Sequence, residues 1–223
     1  MGTWDAAIQT TTTLLAALQK RKKGLMQQLL TPKPDWKEVR LGECFSERNE
    51  TGFNHLPLLA ITSSNGVVPR ESIEKRDTSN EDKSKYLRIC KGDIGYNTMR
   101  MWQGVSGVSQ YEGIVSPAYT ILIPRQEINV FFFSYLFKFS PMIHLFWRYS
   151  QGLVDDTLNC KYDSFRRIKI NLPSLAEQIH IAAILNTADA ELRQTEAYLE
   201  KLKTQKRGLM QQLLTGKVRV TTT

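Results

Sequence analysis

The chain has 223 residues, 41% of them hydrophobic, and a formal net charge of +8. That size suits one mid-sized domain with an appendage or two small domains, and the apolar content excludes a globally disordered chain. The positive excess favours a polyanionic partner, nucleic acid first, although many basic proteins bind none.

In chain order, the first pattern is helical. Ile8, Thr11, Leu15, Leu18, Lys22, Leu25 and Leu29 alternate by three and four, which is the seam of a coiled coil. Thr31-Pro32 stops it, and Pro32-Lys33-Pro34-Asp35 reads as a linker. Trp36 to Leu41 alternates as a strand and leads to Gly42; Leu58 to Ile61 is a short apolar strand followed by turn residues 62–66. Lys91-Gly92-Asp93 is a turn before a strand at Ile94-Gly95-Tyr96. Residues 106–109 and 113–117 read as sheet edges, and Ala118 to Ile123 as a buried strand. Phe131 to Phe139 reads as a helix broken at Ser140-Pro141. The apolar run Asn129 to Trp147 is too interrupted, by Lys138, Pro141 and His144, for a membrane span. Many short strands plus a helix predict an α+β domain with a mixed β-sheet over residues 34–173.

The last pattern repeats the first. GLMQQLLT occurs at 24–31 and again at 208–215, an offset of 184 that also aligns Asp5-Ala6 with Asp189-Ala190, Thr11 with Thr195 and Leu15 with Leu199. Leu185, Ala188, Leu192, Thr195, Leu199, Leu202, Lys206, Leu209 and Leu213 carry the same three-four alternation. Ser174 and Glu177 have capping-box spacing after Pro173, so a helix is predicted from about Leu175 to Leu214, with Thr215-Gly216 as its stop. The domain reading is therefore 1–33 for a partial helical repeat, 34–173 for the globular domain and 174–217 for a long helix. A helix of this length spans about 60 Å and cannot bury its seam alone. It needs the other copy, from the same chain or a second one, as an antiparallel coiled coil. Leu15, Leu18, Leu25 and Leu29 would pack with Leu185, Leu192, Leu199, Leu202, Leu209 and Leu213. The basic runs 20–23 and 206–207 suit a solvated coiled-coil face, with phosphate contact as the alternative.

Two segments suit base and phosphate contact. Residues 97–104, NTMRMWQG, join two strands and offer Asn97, Arg100, Trp102 and Gln103; arginine can bind guanine bidentately, and asparagine or glutamine adenine. An ordinary surface loop with Trp102 packed on the domain is the plain alternative. The second segment interleaves Arg148, Gln151, Lys161 and Tyr162. Arg166 suits phosphate, or an ion pair with Asp155, Asp156 or Asp163.

Catalytic signals are thin. There is no Walker A sequence and no GxGxxG after a strand. Asn171-Leu172-Pro173-Ser174 lacks the second proline and the aromatic of the amino-methyltransferase signature, and pairing Asp35 with Glu81-Asp82-Lys83 as a nuclease centre rests on a common short match. Cys44, Cys90 and Cys160 are odd in number and lie far apart, away from His55, His144 and His180. That implies reduced thiols in a cytosolic chain without structural zinc or other metal. Met1 to Asp5 lacks the basic-then-apolar order of a signal peptide.

Three stretches, WKEVRLGEC at 36–44, the run from KGDIGYNTM to GIVSPAYTILIP within 91–124, and NLPSLAEQIHIAAIL at 171–185, resemble the specificity (S) subunits of type I restriction-modification enzymes. The ending KRGLMQQLLTGK at 206–217 is similar to the ends of that family's helical regions. The resemblance implies a sequence-specific reader of double-stranded DNA with no catalytic centre or cofactor of its own. S-adenosylmethionine would belong to methyltransferase (M) subunits, and ATP and Mg2+ to the partner restriction (R) subunits. Family members carry two recognition domains, and this chain has one. It therefore resembles half of a specificity subunit, either a natural half-length form or a truncated piece, that would homodimerise through interchain helix pairing and read a split site in the bacterial or archaeal cytoplasm. The alternative from another class is a coiled-coil adaptor or scaffold without DNA binding.

Overall fold

The computed structural model describes residues 2–63, 65–73, 82–125, 127–152 and 157–216. The chain divides into two compact units, 1–29 with 183–223, and 30–182.

The helical unit is made of the two repeat copies. Helix α1 spans Gly2–Leu30, and the C-terminal helix, α6, spans Leu175–Leu214. Burial follows the predicted seam: Thr11, Leu18, Ala188, Leu199 and Leu202 are each at most 7% exposed, while the intervening positions face solvent. Asp5 pairs with Lys206, Lys22 with Asp189 and Arg21 with Glu191, so the helices run antiparallel. The seam threonines keep their hydroxyls satisfied by donating one turn back, Thr11 to the Ala7 carbonyl and Thr195 to the Glu191 carbonyl, each at 2.8 Å. Sequence reading expected these helices to pair between two chains. Here the two copies pair within one chain, one of the two partners that the seam allows.

The globular unit is built on short antiparallel ladders. Strand β1 (Lys37–Arg40) pairs with β10 (Lys169–Leu172) in the register Val39 to Ile170. A four-stranded sheet follows the order β2 (Phe45–Glu47), β9 (Tyr119–Pro124), β6 (Ile94–Asn97), β7 (Ser106–Val108). Strands β3 (Leu59–Thr62) and β4 (Gly66–Pro69) form a hairpin, and β5 (Leu87–Ile89) pairs with β8 (Gly113–Val115). A parallel bridge between Leu58 and Ile114 ties the hairpin to β8 and gives the sheet pattern its mixed character. The segment between Gly66 and Gly107 is tight: a Cβ on Gly107 would lie 2.5 Å from the Gly66 Cα, and Gly66 has φ +65. Only glycine fits both demands.

Two clusters fill the interior. Leu59, Ile61, Val67, Ile89, Val115 and Ile121 pack between the ladders. The other cluster is aromatic: Phe45, Tyr96, Phe133, Phe137, Phe146 and Phe165 are fully buried. Helix α3 (Val130–Leu136) ends before Ser140, and α4 (Ser140–Tyr149) starts there with proline in its first turn. The two helices bend by 79°. Phe132 and Phe133 of α3 and Phe146 of α4 point into the core, which accounts for the apolar composition of this stretch. Among the described residues no single helix is long and apolar enough to cross a membrane.

The start of α6 shows half of the expected capping box. Ser174 Oγ accepts from the Glu177 backbone N–H at 3.3 Å, but the Glu177 carboxylate accepts from Lys33 Nζ at 2.5 Å. Gln178, 1% exposed, bridges the Asn129 N–H and the Pro173 carbonyl and so fixes α3 against the helix entry. The compact globular unit takes in the first turns of α6, as far as Ala182.

Candidate nucleic-acid interface

The segment 97–104 is a wound turn. The Arg100 N–H donates to the Asn97 carbonyl, Gln103 and Val105 N–H both donate to the Arg100 carbonyl, and Gly104, at φ +73, closes the turn onto Met101. Met101 is fully buried and anchors it. Asn97 Oδ1 accepts from the Met99 N–H at 3.0 Å, and Trp102 Nε1 donates to the Met99 carbonyl at 3.0 Å. Two of the four predicted base-contacting side chains therefore brace the tip. Arg100 and Gln103 stand on its exposed side, with Met99 44% exposed.

The structure joins this turn to the second predicted segment. Cys160 N–H donates to the Thr98 carbonyl at 2.9 Å, and Tyr96 Oη donates to the Cys160 carbonyl at 3.0 Å. A bridge pairs Gln151 with Asn159 in both directions. Thr98 is also tied to Ala118, whose carbonyl accepts both its backbone N–H and its hydroxyl. Three loops of distant sequence thus form one braced rim, and α4 packs on the 97–104 turn.

Beside this rim lies a groove of about 480 Å³, lined by Glu47, Asn49, Met99, Asn159, Lys161, Tyr162 and Asp163 among others. Its lining mixes donors and acceptors of both charges. The Asn159 Oδ1 is buried and makes no hydrogen bond among the described residues. Tyr162, in the short helix α5 (Tyr162–Phe165), donates its hydroxyl to the Phe45 carbonyl at 2.9 Å, and burial holds that phenol above its usual pKa. It therefore offers a neutral ring edge. Lys161 and Gln151 are exposed, as is Arg148 at the end of α4.

Arg166 stands beside Asp163 of the groove lining. Its guanidinium pairs with Asp163 at 3.1 Å, one of the partners the sequence offered, and its carbonyl accepts from the Gly42 N–H. Asp155 and Asp156 lie outside the described residues, as does Glu81 of the nuclease pairing.

Sequence reasoning missed Thr98, Asn159 and Glu47. Thr98 sits inside the segment it singled out, but its role depends on Cys160 and Ala118, which no local pattern reveals. Sequence reasoning also missed an ion network beside the core. The guanidinium of Arg48 holds Asp93 at 2.8 Å and also Glu50, while Arg88 joins Glu50 to Glu112 and lies 4.7 Å from the Phe53 ring centroid. Arg88 and then Arg48 hold the Glu50 carboxyl below its usual pKa. Burial raises the Cys44 thiol to about 11 and Cys160 to about 12, so both stay protonated. Among the described residues no three histidine, cysteine or carboxylate side chains gather as a metal site.

The described residues thus comprise an α+β unit with a braced, polar rim and an antiparallel pair of repeated helices. Residues 33–204 match the family described as the type I restriction modification DNA specificity domain, and the chain belongs to that family. The fold is similar to that of the HsdS subunit from Thermoanaerobacter tengcongensis, at 17% identity and TM-score 0.55 over 95% of this chain and 56% of that one. It is also similar to the S subunit of a type I restriction-modification system from M. genitalium, at 16% identity and TM-score 0.60 over 99% and 59%. A chain solved in a study of complex assembly and conformational transition of the type I R-M system matches at 19% identity and TM-score 0.55 over 95% and 57%. The chain thus spans just over half the length of each of these solved chains.

Proposed function

We propose that this chain is the non-catalytic, sequence-reading subunit of a cytoplasmic type I restriction-modification system, and that its globular unit reads one half of a split site in double-stranded DNA. The observation that carries this reading is the family match, which runs from the linker through the whole globular unit and into the long helix. The braced rim supports it, because a reader must hold its side chains still before contact. Arg100 and Gln103 read base edges, Lys161, Arg148 and Gln151 hold the backbone, and Asn97 and Trp102 keep the tip in shape. Tyr162 gives its ring edge to the groove, and Arg166 contributes charge at the margin. S-adenosylmethionine, ATP and Mg2+ are handled by the M and R subunits, and two copies of this chain supply the two half-sites. A palindromic split target follows from their identity.

The test is methylation mapping in cells that express this chain with its cognate methyltransferase. A split, palindromic motif is expected, and loss of methylation when the chain is omitted. Methylation that persists unchanged without the chain refutes the reading. Replacing Arg100 or Gln103 by alanine should reduce discrimination at one base position by about 1–3 kcal/mol, with little change in non-specific affinity.

A further inference from the structure

We propose that the seam of α6 is also built to receive the α6 of a second copy, so that α1 competes with that copy from within its own chain. This rests on the homodimer reading above and specifies how the dimer forms.

The argument starts from the ion pairs. The repeat offset of 184 carries Asp5 onto Asp189 and Lys22 onto Lys206. The two seam pairs observed are Lys22 with Asp189 and Lys206 with Asp5. The offset therefore turns one pair into the other. A surface of this kind is self-complementary: any copy of the repeat fits any other in the antiparallel register. If the α6 of a second chain replaces α1, Lys206 of that copy meets Asp189, and Asp189 of that copy meets Lys206. Thr195 takes the place of Thr11, with the same hydroxyl arrangement, and Leu199 that of Leu15. The same register sets Met210 of one copy level with Leu185 of the other; Met210 is now 38% exposed and Leu214 85%. One contact does not transfer. Arg21 pairs with Glu191, and the position equivalent to Arg21 is Gln205. That pair favours α1.

The competition is tested on the full chain by sedimentation equilibrium over micromolar concentrations, without DNA. The double variant Asp5→Lys with Lys22→Glu sets like charges against Lys206 and Asp189 but leaves the α6 seam as it is. Its dimerisation constant should tighten about tenfold, the effect of roughly two lost ion pairs and their repulsion. Adding Asp189→Lys and Lys206→Glu restores opposite charges in both pairings and should return the constant to that of the parent chain. Helix content by circular dichroism checks that each variant is folded. A double variant that dimerises no better than the parent overturns the proposal, as does a fourfold variant that fails to return. Neither result bears on base reading, which methylation mapping tests separately.

Discussion

Phe165→Ala is the sharpest probe of how the globular unit is held together. The Phe165 side chain is fully buried, and its ring centroid lies 5.4 Å from Tyr96, 5.7 Å from Phe137, 6.1 Å from Phe146, 6.2 Å from Phe45 and 6.3 Å from Tyr162. Truncating a buried phenylalanine costs about 3–5 kcal/mol, depending on how far the surroundings collapse. Collapse is resisted here. Phe45 is held edge-on by Phe133 at 4.8 Å, Phe137 packs on Phe146 at 5.5 Å, and Tyr96 is fixed by its hydrogen bond to the Cys160 carbonyl. The cavity should stay open, which puts the cost near the upper end, about 4–5 kcal/mol, against a typical total of about 5–15. Urea unfolding followed by tryptophan fluorescence reads this, since Trp36, Trp102 and Trp147 all lie in the globular unit. A loss below about 1.5 kcal/mol with an unchanged urea dependence would mean that the rings repack freely, and the reasoning from packing would fail.

Two further predictions follow from contacts outside that cluster. Gly107→Ala sets a methyl group 2.5 Å from the Gly66 Cα, so the hairpin β3–β4 must shift; a cost of about 3 kcal/mol is expected in the same assay, while the surface change Gly24→Ala, with open space at its Cβ, should not destabilise the chain. The Glu50 carboxyl is held below its usual value of 4.5, so its contribution to stability is complete above that pH and is lost as pH falls through the lower folded-state value. The urea midpoint should therefore drop more steeply below that pH in the parent chain than in Glu50→Gln, and equal slopes would show that the network contributes nothing.

The helical unit was the most legible part of the sequence, because a seam is a local property written every three or four residues. From Ile8 to Leu29 and from Leu185 to Leu213 every position at that spacing is buried or half-buried. The partner was not legible: the same seam fits a second chain or the same one, the pairs Asp5 with Lys206 and Lys22 with Asp189 suit either, and of the cross-helix pairs described only Arg21 with Glu191 distinguishes them. In the globular unit β1, β3, β6, β7, β8 and β9 were visible from alternation and turn residues, β2, β4, β5 and β10 were not, and no strand showed its neighbour. Lys37 pairs with Leu172 across almost the whole unit, and such pairing leaves no mark in either segment alone. The candidate site shows the same division. Composition drew attention to 97–104, but residue type does not say that the Asn97 Oδ1 and the Trp102 Nε1 are engaged by the backbone of their own turn.

The hydrogen bond between the Cys160 N–H and the Thr98 carbonyl has a consequence for altering this protein. The two loops that rim the groove share a backbone contact, so neither is an independent cassette. Transplanting residues 97–104 from a relative, without residues 158–161, would leave a carbonyl and an amide facing strangers. A change of target would best be attempted by exchanging both loops together with the Ala118 turn, as a single interchangeable cartridge.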